Sequence, residues 1–105
     1  MTQQPPIRLD AARRFLRMYL FDSDLAELEQ TVRRGHLTQA IVEGLQALEH
    51  TLAAEAPDWT LLALVEGDAN WPLDDATEAG ARVFLEDLVA KLRTWLGDKA
   101  PTRGR

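Results

Sequence analysis

Residues 75–97 read DATEAGARVFLEDLVAKLRTWLG and contain the longest helix that the sequence predicts. Their apolar side chains recur at intervals of three and four residues, the spacing that places side chains on one face of an α-helix. Asp75 and Glu78 match a capping box at the start of this helix, and Gly97 ends it. The predicted apolar face consists of Ala81, Phe84, Leu85, Leu88, Leu92, Trp95 and Leu96. A face of this length requires further helices to cover it.

Two shorter helices are predicted before residue 36. The first starts at a cap formed by Asp10, although residues 15–21 taken alone also fit a strand. The second begins at a capping box formed by Asp24 and Glu27 and ends at Gly35. Their apolar faces are Ala12, Phe15, Leu16, Tyr19 and Leu20 in the first helix, and Leu25, Leu28 and Val32 in the second.

A third helix is predicted from Thr38 to the region of Pro57. Ile41, Leu45, Leu48 and Leu52 recur in it at spacings of four, three and four residues and form a packing seam. The seam fits a core within one chain and a homodimer interface equally well. Gly44 lies beside the seam and would let another backbone approach closely.

The segment Trp59–Val65 is continuously rich in apolar residues and fits either a buried helical turn or a short strand. We favour the helix, with Asp58 as its cap. Residues 66–72 form the main loop, which leads to the last helix. Together these elements predict an all-α, single-domain bundle of four to five short helices.

The length of 105 residues indicates one domain with one modest core. Residues 9–97 form the predicted helical domain, preceded by a flexible lead, residues 1–8, and followed by a flexible basic tail, residues 98–105. The first residues show no signal-peptide pattern, and the longest apolar run, Leu61–Val65, is too short to span a membrane. We therefore expect a cytoplasmic protein with no membrane partner.

The charge distribution is the clearest functional signal in the sequence. No lysine or arginine occurs between Arg34 and Arg82, whereas this stretch contains nine carboxylates. Residues 39–98 have a net charge of −9, against +1 for residues 1–38 and −5 for the whole chain. Such an acidic block repels phosphate and attracts cations, so it favours a basic protein partner over nucleic acid.

Few residues have the chemistry for catalysis or cofactor binding. Cysteine is absent, Ser23 is the only serine, and His36 and His50 are the only histidines. The sequence contains no phosphate-binding glycine loop and no metal-ligand motif. The acidic residues near Asp68 do not match a calcium-binding loop, because Leu73 occupies the position at which such a loop requires glycine. We therefore expect a non-catalytic protein with no cofactor and no metal. A small enzyme that uses His36 or His50 is one alternative. Another is a small helical protein with no dedicated ligand, in which the acidic residues form only a solvated face.

The predicted partner-binding residues lie in the acidic block. They are Glu43, Glu49, Asp68, Trp71, Asp74 and Asp75. Trp71, which lies among acids and precedes a proline, fits either an aromatic anchor for the partner or a lid over the protein's own core. Trp59 and Trp95 lie on predicted apolar faces and are expected in the core.

The order of elements in residues 15–52 resembles that of a ribbon-helix-helix DNA-binding unit, which has a strand, a helix ending near a glycine, and a second helix. The resemblance implies a dimeric regulator in which alternate strand residues, namely Phe15, Arg17, Tyr19 and Phe21, read the major groove. This alternative needs lysines and arginines to neutralise phosphates, and residues 1–38 are barely positive.

The whole chain is similar in size, acidity and helix content to small bacterial immunity proteins of the colicin and contact-dependent-inhibition type. The similarity implies an inhibitor whose acidic surface plugs the basic cleft of a nuclease toxin. Electrostatic steering would make that association fast. An immunity-like or antitoxin-like inhibitor is therefore the most specific form of the predicted protein-binding function.

Overall fold

The computed structural model describes residues 9–21, 23–35, 37–54 and 59–100. Within these ranges the helices are α1 (Leu9–Tyr19), α2 (Leu25–Arg34), α3 (Thr38–Ala53), α4 (Thr60–Leu62) and α5 (Glu78–Leu96). α4 continues directly into a π-helix, Ala63–Asp68, and α5 is followed by a 3₁₀ turn, Gly97–Lys99. The described ranges contain no strand, so the predicted all-α bundle is confirmed.

Several predicted features lie outside the described residues. They are the lead, residues 1–8, most of the predicted tail, residues 101–105, the His36 side chain, the helix end at Pro57 and the cap at Asp58. None of the helices in the described part of the chain is both long enough and apolar enough to cross a membrane.

The two segments with ambiguous periodicity are both helical. Phe15 and Tyr19 belong to α1, and Leu61 to Val65 run through α4 into the π-helix. A ribbon-helix-helix unit requires a strand where α1 lies, so the resemblance in element order does not extend to the structure. Asp10 lies inside the first turn of α1 instead of preceding it as a cap.

α5 is the central helix of the bundle, because it packs against α2, α3 and α4. α1 is joined to the bundle through α3 and the π-helix. The seam of α3 faces this core, with Ile41, Leu45 and Leu48 fully buried, so the seam is satisfied within one chain. The larger buried side chains of the core also include Leu16, Leu20, Leu28, Leu61, Leu64, Val65, Leu85, Leu88 and Leu92.

The ends of α2 follow the sequence prediction, whereas the start of α5 does not. The Asp24 carboxylate accepts from the backbone N–H of Glu27, and Gly35 ends α2 with a left-handed φ of 79°. At α5 the cap is Thr77, whose hydroxyl accepts from the backbone N–H of Gly80, so the predicted cap at Asp75 is wrong.

The side chain of Glu78 binds a different helix. Its carboxylate accepts from the backbone N–H groups of Leu61 and Leu62, at 2.9 and 3.0 Å. These groups belong to the first turn of α4, where helical N–H groups have no intrahelical acceptor and a negative charge is favourable. A capping box predicts that this carboxylate turns back onto its own helix, and the structure shows that it stabilises α4 instead.

Arg82 lies one turn after Glu78 and binds the end of α3. Its guanidinium donates to the backbone carbonyl of Leu52 at 3.0 Å, where a cation is favourable at a helix C-terminus. We call Glu78 and Arg82 the α5 clamp. The clamp therefore joins α5 to the end of α3 and to the start of α4.

Gly44 allows α1 and α3 to pack closely. A Cβ atom at this position would overlap with ring carbons of Phe15. The sequence predicts close approach of another backbone at Gly44, and the group that occupies the space is an aromatic side chain.

Candidate functional site: an acidic segment and an exposed tryptophan

Three exposed acids lie in the π-helix and in the loop between it and α5. Glu66, Asp74 and Asp75 are all exposed, and we call them the acidic segment. The Asp75 carboxylate accepts from the Thr77 hydroxyl at 3.1 Å. Within the described part of the chain, no cation lies within ion-pair distance of any of the three carboxylates. Their negative charge is therefore directed at solvent.

Asp68 lies inside the protein and is not part of this exposed surface. Only 4% of the residue is accessible. Its two carboxylate oxygens accept from the Nε atoms of Arg13 at 3.3 Å and Arg17 at 2.7 Å, both on α1. Two arginines of α1 thus neutralise Asp68. The sequence predicts that Asp68 contacts a partner, and its burial corrects this prediction.

The periodicity of the sequence contains a signal for this burial. Asp68 follows Leu61 by seven residues, Leu64 by four and Val65 by three, and those three side chains are buried. This spacing continues the inner face of one helix. Asp68 therefore occupies a core position, and it requires cations from α1 because a buried charge must be paired.

Glu49 is also neutralised by its own chain. It binds Arg93 of α5 through two parallel hydrogen bonds, from Nε to Oε2 at 2.6 Å and from Nη2 to Oε1 at 2.8 Å. The hydrogen bond to Glu49 raises the pKa of Arg93, and this effect outweighs the opposing effect of burial. Glu49 therefore joins α3 to α5 as a structural residue.

Glu43 remains exposed on the outer face of α3. Its carboxylate accepts from the side-chain amide of Gln39 at 3.0 Å, one turn earlier. The other predicted polar residues of this face, Gln46 and His50, are exposed as well. Of the predicted partner-binding acids outside the acidic segment, Glu49 and Asp68 are paired with arginines, and Glu43 is exposed to solvent.

The tryptophans differ from one another in burial. Trp71 is half-buried against Phe84, with ring centroids 5.4 Å apart, and its backbone N–H donates to the Val65 carbonyl. This arrangement matches the interpretation of Trp71 as a lid over the protein's own core. Trp95 is half-buried against the core as expected. Trp59 is 62% exposed, so its predicted place in the core is wrong.

The described residues with potential catalytic chemistry are dispersed. The Ser23 hydroxyl donates to the Glu27 carboxylate at 2.6 Å, at the start of α2. His50 is exposed and lines an open groove together with Arg82, Glu86 and Val89. In the described ranges, no three histidine or carboxylate side chains come together in a metal-binding arrangement.

Comparisons of this chain with protein-family models, with curated proteins and with solved structures found no match. The function is therefore inferred from this chain's own residues. Two features stand out on the described surface, the carboxylates of the acidic segment, which have no ion-pair partner among the described residues, and the exposed indole of Trp59. The sequence predicts the first through Asp74 and Asp75, and it does not predict the exposure of Trp59.

Proposed function

We propose that the protein is a non-catalytic binding module that recognises a basic surface on another protein through the acidic segment. The observation that carries the proposal is the lack of a cation beside Glu66, Asp74 and Asp75 among the described residues. Asp74 and Asp75 come from the sequence prediction, and Glu66 is added because it is exposed.

The contrast with Asp68 and Glu49 supports this choice. Those two acids are partly or fully buried and are paired with arginines, so their charges serve the fold. A carboxylate without a cation contributes no ion pair to stability, but it still attracts positive charge over a distance of about 8 Å at physiological salt. Steering of this kind accelerates association with a basic partner.

The most specific form of the proposal is an inhibitor similar to an immunity protein or an antitoxin. In that role the acidic segment would cover a cationic cleft on the partner. The half-buried Trp71 would then act mainly as the support of the segment, because its ring packs on Phe84 of α5.

The test measures binding to a fluorescent hexa-arginine peptide by anisotropy at low and at physiological salt. The variant is Glu66→Lys, Asp74→Lys and Asp75→Lys combined. The control is Glu86→Lys, Asp87→Lys and Asp98→Lys combined, which changes three exposed acids elsewhere and gives the same net charge.

We expect the first variant to weaken peptide binding by about tenfold or more, with a reduced salt dependence, because local charges dominate contacts within a Debye length. The control variant should weaken binding much less. Equal losses in both variants would show that only the net charge matters and would contradict the assignment of the acidic segment.

A further inference from the structure

Trp59 combines an exposed indole with an unusual backbone. Its side chain makes no aromatic ring contact and no hydrogen bond within the described part of the chain. Its φ of 72° and ψ of 0° lie in the left-handed region. Glycine and asparagine adopt this conformation readily, whereas a bulky aromatic residue adopts it at a cost in free energy. The choice of tryptophan here is therefore not explained by the fold.

The α5 clamp binds the chain close to this conformation. Arg82 holds the Leu52 carbonyl before the connection, and Glu78 holds the Leu61 and Leu62 N–H groups after it. The Trp59 carbonyl also accepts from the N–H of Ala63. The chain is thus fixed directly after Trp59, which restricts the backbone that carries the indole and lowers the entropy that would be lost on binding.

The surface that follows Trp59 is open and carries only negative charge. Ala63, Glu66 and Gly67 follow it at spacings of four, seven and eight residues, and all three are exposed. A Cβ atom on Gly67 would meet no atom within 4 Å. The exposed residues that follow Trp59 are therefore small side chains and one carboxylate, Glu66, and a long cationic side chain is the partner group that complements them.

We propose that Trp59 is the aromatic anchor of the binding surface and receives an arginine or lysine side chain of the basic partner by cation–π stacking. This inference rests on the proposed function and adds a specific contact to it. An indole face is the strongest aromatic acceptor of a cation, and a neighbouring carboxylate strengthens the attraction.

The experiment uses the full chain and the same hexa-arginine peptide. Affinity is measured for Trp59→Ala, for Trp59→Tyr and for the control Val83→Ala, which truncates another exposed apolar side chain. Thermal unfolding of each variant verifies the fold. In parallel, the indole N–H signals of the unmodified protein are followed by NMR during titration, so one readout does not depend on any variant.

We expect Trp59→Ala to weaken binding by about five- to thirtyfold, Trp59→Tyr by less, and Val83→Ala to leave it unchanged. The Trp59 indole signal should shift more than those of Trp71 and Trp95. If Trp59→Ala binds normally while lysines in the acidic segment weaken binding, the anchor is refuted and the proposed function stands. If the unmodified protein does not bind the peptide at low salt, the proposed function fails as well.

Discussion

The Glu78 carboxylate lies 2.9 Å from the backbone nitrogen of Leu61, a residue seventeen positions earlier in the chain. The first residue of α5 thereby caps α4, two and three residues after Trp59. We expect Glu78→Gln to lower the free energy of unfolding by about 1–2 kcal/mol, because the amide retains one acceptor and loses the charge. Urea denaturation measures the change.

Glu86→Gln is the matched control for this prediction. Glu86 lies on the same helix, is exposed, and approaches Arg82 only to 3.8 Å. An exposed pair of this kind contributes at most about 0.5 kcal/mol. A loss for Glu86→Gln as large as that for Glu78→Gln would show that the cap on α4 is unimportant.

Gly44→Ala should destabilise the protein because the new methyl group would overlap with the Phe15 ring between α1 and α3. Overpacking of a core typically costs about 1–3 kcal/mol, and the better helix propensity of alanine returns at most about 1 kcal/mol of this. Gly67→Ala is the control, since its Cβ would be in open space. We expect it to be neutral or stabilising, and calorimetric midpoints should separate the two variants.

Asp68→Asn should cost about 2 kcal/mol, because it removes the buried charge that Arg13 and Arg17 both bind. The control is Asp87→Asn, which removes an exposed pair with Lys91 that is as short as 2.6 Å. Exposed pairs contribute little, so the control should change stability by less than about 0.5 kcal/mol. Similar losses of stability in the two variants would contradict the conclusion that the buried pair of Asp68 contributes more than an exposed pair.

Arg93→Lys should weaken the contact between α3 and α5 although the charge is kept. An ammonium group does not reproduce the two parallel hydrogen bonds to Glu49, so we expect a loss of about 1 kcal/mol. The same substitution at Arg33, which makes an exposed contact with Glu29 within α2, should be nearly silent. Chemical denaturation of both variants tests the difference.

The protein should be a monomer in dilute solution. Ile41, Leu45 and Leu48 of the α3 seam are fully buried within one chain and Leu52 is partly buried, so the seam offers little apolar surface to a second copy. Light scattering on a sizing column should give a molar mass close to 11.8 kDa. A stable dimer would contradict this and would direct attention to Trp59 or Met18 as contact residues, since both are well exposed.

Periodicity predicts most of this fold because the buried faces of α1, α3 and α5 depend on spacing within each helix. Ile41 with Leu45 and Leu85 with Leu88 are on the same side of their helices in any α-helical context. The caps are less predictable. Asp75 and Thr77 both precede residues that suit a helix start, and local sequence does not reveal that the Glu78 carboxylate is bound by α4.

The candidate site was predictable only in part. Asp74 and Asp75 are exposed as loop acids usually are, whereas Asp68 is buried because arginines more than fifty positions away neutralise it. Tryptophan is usually a core residue, whereas Trp59 is exposed at the surface. Its backbone is left-handed, a conformation that the pattern of apolar residues around position 59 does not predict.

The central position of α5 also constrains the order of events during synthesis. Every residue of α1, α2, α3 and α4 leaves the ribosome before α5, and α5 packs against three of these helices. Until it emerges, the parts of α3 and α4 that pack against α5 have no cover, and α4 lacks its cap. The nascent chain therefore remains incompletely folded until α5 has left the ribosome, and its uncovered apolar surface is exposed during that period.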